Sequence, residues 1–290
     1  MTNSNFPLKP FVKWAGGKRQ LLAEIKKYLP ENLNDYTYYE PFAGAGAVLF
    51  GLQPGKAVIN DSNTQLMITY NAIKENVEEL IAALRKHEKM YDKDYYYKIR
   101  NLDRDPVQFN ELSNIEKAAR TIFLNKTCFN GLYRVNSKGF FNVPLGKYKN
   151  PVICNDTVLR SISGYLNSND ITILNEDFES AVSGADKNSF VYFDPPYHSQ
   201  DKTNFTAYQA DGFGLSCQER LRNLMIEMTK REVRCLLSNS DTEFIRGLYN
   251  NDFFDIVTVQ AKRKINSDSA GRGNVKELLI KNWKGKLYAE

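Results

Sequence analysis

Asp194-Pro195-Pro196-Tyr197 puts an acid, two prolines and an aromatic directly after Ser189-Phe190-Val191-Tyr192-Phe193, a short apolar run that reads as a buried strand. The prolines stiffen the turn, the carboxylate accepts hydrogen bonds, and the phenol ring offers a flat face. A planar ring can stack on such a rim while oxygens hold its exocyclic amine. That chemistry suits methylation of an amino group on a nucleic-acid base. Asp-Pro-Pro also builds ordinary turns, so the rest of the chain has to decide between the two readings.

Three further segments could meet in one pocket. Pro41-Phe42-Ala43-Gly44-Ala45-Gly46 resembles a dinucleotide fingerprint, but position 49 is Leu where the third glycine belongs. Gly16-Gly17-Lys18 resembles the end of a P-loop, but position 12 is Val and Arg19 follows the lysine. What remains is a tight glycine turn that lets backbone approach a ligand, with Asp61 at the end of the next strand. A carboxylate there has lone pairs for both ribose hydroxyls. The expected ligand is a nucleoside without a pyrophosphate, and S-adenosylmethionine fits. The alternatives are close helix–sheet packing for the glycines and an N-cap role for Asp61.

The elements that must position these groups follow from pattern. Residues 19–29 read as a helix stopped by Pro30, residues 37–40 as a strand entering the glycine turn, residues 47–52 as a helix start, and residues 57–60 as a second strand. Strand, glycine turn, helix, strand, acid is the opening of a nucleotide-binding α/β sheet. Leu66, Tyr70, Ile73, Val77, Leu80, Ile81 and Leu84 form an apolar helical stripe, and residues 95–102 and 115–124 predict further helices. Gly131, Gly139, Pro144, Gly146 and Pro151 make residues 130–150 read as hairpins and loops. Strand patterns return at 171–174, 190–193, 233–237 and 254–259, with a helix over 217–231 and an expected edge strand at 275–280. The expected architecture is one α/β sheet domain, residues 1–62 and 160–290, with a mostly helical insert at 63–159.

Charge points to the partner. The 290-residue chain carries +5 overall, yet residues 117–155 contain no Asp or Glu. That span holds Lys117, Arg120, Lys126, Arg134, Lys138, Lys147 and Lys149, interleaved with Phe123, Phe129, Tyr133, Phe140, Phe141 and Tyr148. Basic residues neutralise phosphates and aromatics wedge between bases, so nucleic acid is favoured over a solvated basic face with core aromatics. No apolar run approaches the ~18 residues that span a bilayer. The N-terminal residues are polar, and Cys128, Cys154, Cys217 and Cys235 make no Cys-x-x-Cys pair. A reduced, cytoplasmic protein without a metal site is expected.

Taken together, these segments resemble the DNA adenine-N6 methyltransferases of the Dam type, over most of the chain. Phe11-Val12-Lys13-Trp14-Ala15-Gly16-Gly17-Lys18 is similar to the family's N-terminal cofactor motif, Glu40 to Gly46 to its glycine motif, and Asp194 to Tyr197 to its catalytic motif. Phe129-Asn130-Gly131-Leu132-Tyr133-Arg134 and Phe141-Asn142-Val143-Pro144 look like its target-recognition region. The resemblance implies a Rossmann-like methyltransferase sheet domain with a helical target-recognition insert. It implies transfer of a methyl group from S-adenosylmethionine, with S-adenosylhomocysteine as product, to adenine N6 in a short duplex site, GATC being the family's usual target. Asp194, Pro195 and Tyr197 would be catalytic. Trp14, Lys18, Asp61, Asp177 and Asp194 would contact the cofactor, with Glu40, Phe42, Ala43 and Gly44 lining its pocket. Arg134 would read a guanine, Leu132 and Pro144 a thymine, and Phe129, commonly Tyr in the family, would wedge beside an extruded base. Asn130, Lys147, which stands where arginine is frequent, and Lys149 would complete the DNA contacts, and residues 261–264 and 267–276 look like the family's DNA-backbone segment. Double-stranded DNA is the implied partner, a monomer suffices, and a restriction-modification setting is compatible. A cytosine-N4 methyltransferase and a catalytically silent DNA-binding relative are the alternatives.

Overall fold

The computed structural model describes residues 8–198, 213–262 and 274–284. In chain order the first elements are α1 (Leu22–Lys26), β1 (Thr37–Glu40), α2 (Leu49–Leu52), β2 (Lys56–Asn60), α3 (Thr64–Glu75), α4 (Val77–Lys89), α5 (Lys93–Asn101), α6 (Pro106–Glu111) and α7 (Asn114–Thr127). They are followed by α8 (Asp156–Ser168), β3 (Asp170–Leu174), α9 (Phe178–Ala181), β4 (Ser189–Phe193), α10 (Leu215–Lys230), β5 (Arg234–Ser240), α11 (Glu243–Tyr249), β6 (Asp255–Lys262) and β7 (Asn274–Lys281). The fold is mixed α/β and Rossmann-like. The chain divides into two compact units: Met1–Gly17, Gly44–Gln53 and Asp61–Asn175 in the first, Lys18–Ala43, Pro54–Asn60 and Glu176–Glu290 in the second. These bounds differ from those read off the sequence, because the glycine turn's second half, α8 and β3 pack with the helices.

In the second unit six strands run in the order β2-β1-β4-β5-β7-β6. β2, β1, β4 and β5 are parallel, β7 is antiparallel to β5, and β6 is antiparallel to β7. Every residue of β4 is buried, as expected of a parallel strand covered on both faces. Strand order reverses between β1 and β4, and their paired register, Tyr39 opposite Val191, brings both C-terminal ends to the same sheet edge. In open α/β sheets that crevice is where ligands bind. The glycine-turn start at Pro41 and the Asp194 turn both leave the sheet there. The 275–280 segment is not the expected edge strand. β7 lies between β5 and β6, with Leu278, Leu279 and Ile280 buried, because the β6–β7 hairpin folds back into the sheet.

The first unit is mostly helical. α7 is its central element, packed by α3, α4 and α5. Its N-terminus carries a capping box: the Ser113 side chain accepts from the Glu116 backbone N–H, and Glu116 accepts from the Ser113 backbone N–H. From Ala118 to Asn125 α7 is buried on all sides, polar positions included, so each of those must find partners. Arg120 donates to the Ile99 and Arg100 carbonyls and pairs with Asp103 at 2.9 Å. Thr121 and Thr127 donate to the carbonyls four residues back. The apolar stripe from Leu66 to Leu84 is split at Asn76, whose φ of −137° ends α3 and starts α4. The helix expected over 19–29 reduces to a 3-10 turn and α1, and α2 is a single turn.

Candidate active site and nucleic-acid interface

The second unit holds the Asp194 turn, and its neighbours are set by strand register. Phe193 pairs with Leu237, so the next rung places Ser238 beside Asp194. Ser238 Oγ donates to Asp194 Oδ1 at 2.9 Å, and Lys18 Nζ reaches the same oxygen at 2.9 Å. Among the described residues both contacts fall on Oδ1, which leaves the Oδ2 lone pairs for a donor. Burial pushes the Asp194 carboxyl pKa up, and the Lys18 ammonium and the Ser238 hydroxyl oppose that rise without cancelling it. The Lys18 ammonium also lies 4.2 Å from the centre of the Tyr197 ring, a cation–π distance. Tyr197 donates its hydroxyl to Glu277 Oε2 at 2.7 Å. Burial, together with the Asp194 and Glu277 carboxylates, raises the Tyr197 pKa well above the phenol range, so the hydroxyl stays protonated as a donor.

The turn's backbone is anchored by residues that sequence reading missed. Buried Gln218, on α10, donates to the Pro196 carbonyl at 3.1 Å and accepts from Asn239 Nδ2 at 3.0 Å. Ser240 Oγ donates to the His198 carbonyl at 2.6 Å. Their only sequence signal is the polar Ser238-Asn239-Ser240 ending to an otherwise apolar strand. Asn60 has a similar task at the end of β2. Its side chain donates to the Pro41 and Glu176 carbonyls and accepts from the Glu176 N–H, while its carbonyl accepts from Ala43 N. That fixes the backbone of Pro41 to Ala43. Phe42 stacks on Phe178, and buried Glu40 accepts from the Tyr38 hydroxyl at 2.9 Å. Asp177 N-caps α9 and pairs with Arg220 at 2.9 Å.

The first unit gathers Trp14, Gly44 and Asp61. Gly44 has φ +50°, and a Cβ there would lie 2.9 Å from Trp14 Cδ1, so only glycine fits without a shift. Asp61 Oδ2 accepts from Gly44 N at 3.0 Å and Oδ1 from Asn63 N at 2.9 Å. Burial raises the Asp61 pKa, and those two N–H donors oppose it. A carboxylate so held keeps acceptor sites for a diol. The donor set and the bare glycine backbone beside an indole therefore fit a nucleoside.

The same unit carries the expected DNA readers. Phe129 and Leu132 are 45% and 37% exposed, large apolar side chains held out in solvent. Asn130, Pro144, Lys147 and Lys149 are exposed. Arg134 is half-buried, and its Nε donates to Asn142 Oδ1 at 2.7 Å. The loop is tied down in part by Tyr96 and Asp103, which the sequence reading did not single out. Phe129 N donates to the Pro144 carbonyl, Tyr96 to the Val143 carbonyl, and Phe141 N to Asp103. The acid-free segment is not uniformly a surface: Arg120, Phe123 and Phe141 are core residues. Residues 263–264 and 267–273, expected to follow the DNA backbone, lie outside the described residues. Lys262 ends β6, and Asn274 to Lys276 begin β7.

A methyltransferase-like sheet with an acid-proline-proline-aromatic turn at its switch point defines the class. The family model described as D12 class N6 adenine-specific DNA methyltransferase matches residues 14–265. The chain belongs to that family and is an adenine-N6 DNA methyltransferase. It is 44% identical over 277 residues to the Type II methyltransferase M1.LlaDCHI of Lactococcus lactis subsp. cremoris, covering 95% of this chain and 96% of the relative. It is 43% identical to the Type II methyltransferase M.MjaIII of Methanocaldococcus jannaschii, covering 95% and 99%. The DNA adenine methylase of Escherichia coli K12 is 33% identical, covering 93% and 94%. Among the described residues no helix is long and apolar enough to cross a membrane.

Proposed function

We propose that the protein takes its methyl group from S-adenosylmethionine and delivers it to an adenine extruded from a short duplex site, GATC. The observation that carries this reading is the Asp194 carboxylate, held by Lys18 and Ser238 on Oδ1, beside a Tyr197 ring fixed through Glu277. Trp14, Gly44 and Asp61 would hold the nucleoside part of the cofactor. The bound cofactor supplies an electrophilic methyl on a sulfonium.

The chain's own residues prepare the amine. A base inside a duplex is out of reach, so it must be flipped, with Phe129 as the wedge left in the stack. Tyr197 stacks on the extruded ring. Asp194 Oδ2 accepts one N6–H and the Pro195 carbonyl the other. Two acceptors out of the ring plane draw the lone pair out of conjugation and localise it for in-line attack. This is positioning and electrostatics without a covalent enzyme intermediate. The raised Asp194 pKa also makes the carboxylate a better acceptor for the proton that N6 sheds. Arg134 offers two donors to guanine O6 and N7, and Leu132 and Pro144 give apolar contact to a thymine methyl. Lys147 and Lys149 serve the phosphates, Lys147 as a point charge. The names of the relatives favour an adenine target over cytosine N4 and are compatible with a restriction-modification setting.

The test is incubation with S-adenosylmethionine and unmethylated duplex, with the modified bases mapped by sequencing and nucleoside mass spectrometry. N6-methyladenine confined to GATC supports the whole reading. N6-methyladenine at another site removes GATC alone, and tight cofactor binding without a methylated base removes the DNA substrate.

A further inference from the structure

Tyr133 lies between Leu132 and Arg134 in the recognition segment, yet it does not face the same surroundings as they do. Its ring packs on Trp14, centroids 4.9 Å apart at 31°, and its hydroxyl meets the Asn63 side chain. Asn63 N is one of the two backbone donors that hold Asp61. Trp14 is the indole that closes on Gly44. A side chain from the recognition loop therefore forms part of the wall around the nucleoside-holding residues of the first unit.

The backbones of the two segments are joined as well. Buried Asn125 accepts from Lys13 N and donates to the carbonyls of Lys13 and Gly131. Gly131 has φ +66°, and a Cβ there would lie 2.6 Å from Lys13 Cδ. Cys128 Sγ donates to the Leu132 carbonyl at 3.1 Å. Residues 13–14 and 128–133 thus pack together, with Tyr133 linking Trp14 and Asn63 to the loop.

We infer that Tyr133 is a positioning residue that couples cofactor binding to recognition of the DNA site. A ligand that fixes Trp14 and Asp61 fixes the Tyr133 ring, and with it the directions of Leu132 and Arg134, one residue away on either side. Linkage makes the effect reciprocal: DNA bound to those readers holds Tyr133 against Trp14 and tightens the cofactor by the same factor. The inference rests on the cofactor reading above.

The coupling factor is the ratio of S-adenosylhomocysteine dissociation constants without and with a saturating short duplex carrying the mapped site, by calorimetry. In the parent it should be about tenfold, inside the usual range of 5–150-fold. Tyr133→Leu and Tyr133→Met remove the ring and should bring the ratio to within about twofold of unity, while Tyr133→Phe keeps the stack and should retain most of it. A role in stability alone would lower the melting temperature and leave the ratio where it was. The inference is overturned if either ring-less variant that folds keeps the parental ratio, or if the parent binds both ligands with no coupling. A parent that fails to bind S-adenosylhomocysteine at all overturns the cofactor reading and this inference with it.

Discussion

Asp194→Ala separates what this carboxylate does for the fold from what it does for the reaction. The Lys18–Asp194 pair is 2.9 Å long, with side chains only 7% and 18% exposed, so it is close to a buried pair. Removing one partner of such a pair costs about 3–5 kcal/mol, because the other charge is left desolvated. The Tyr197 ring 4.2 Å from the ammonium offsets part of this, by about 1–2 kcal/mol for a cation–π contact out of solvent. The expected net loss is about 1–4 kcal/mol, or a melting temperature lower by about 2–16 °C at the size scaling of large single domains. Turnover should fall much further, by at least about 10²–10³-fold, the usual effect of losing one preorganised hydrogen-bond partner. The double variant Lys18→Met with Asp194→Ala removes both charges, so it should recover most of the stability and none of the turnover. Single-turnover methyl transfer, thermal melting and a gel shift with the target duplex read the three quantities, and DNA binding should stay near the parental level. The reasoning is refuted if Asp194→Ala keeps turnover within about tenfold of the parent, or if the double variant regains activity along with stability.

Three other perturbations follow from the geometry. Gly44→Ala forces a left-handed alanine, about 1–2 kcal/mol, and pushes its Cβ against Trp14, so cofactor affinity should drop about tenfold or more by calorimetry; an unchanged dissociation constant would count against the pocket. His87 stacks on Phe123 and has its pKa lowered to about 4 by burial. The unfolded chain therefore binds the proton first as pH falls below about 6.5, so stability present at neutral pH is lost between about 6.5 and 4. Urea midpoints across that window should fall in the parent and flatten in His87→Phe; equal slopes would sink the assignment. Arg134→Ala should relax discrimination at one guanine position by about 1–3 kcal/mol in competition binding with single-base variants, and an unaltered preference would rule Arg134 out as a reader.

Local chemistry was legible without coordinates. The left-handed Gly44 turn, the end of β4 at Asp194 and the helical run of α7 each depend on residues adjacent in the chain, where propensity and dihedral limits act directly. So was the irregular backbone of residues 132–150, because the glycines and prolines there exclude a regular element. Periodicity, however, reports which face of an element is apolar and not which neighbour covers it. β7 therefore read as an edge strand although it is inserted between β5 and β6, and the Leu66–Leu84 stripe concealed the break at Asn76.

The second rank of the site was decided only by tertiary structure. Ser238, Asn239 and Glu277 reach the Asp194–His198 turn because strand pairing sets β4, β5 and β7 side by side, Gln218 reaches it from α10, and none lies near the turn in sequence. Arg120 counted toward a basic surface until Asp103 and two carbonyls were seen to hold it in the core. Types and spacing along the chain determined which chemistry is present, because a carboxylate, a ring and a glycine turn keep their character anywhere. Long-range register determined which groups share a pocket, since only the folded sheet and helix packing bring together residues scores of positions apart.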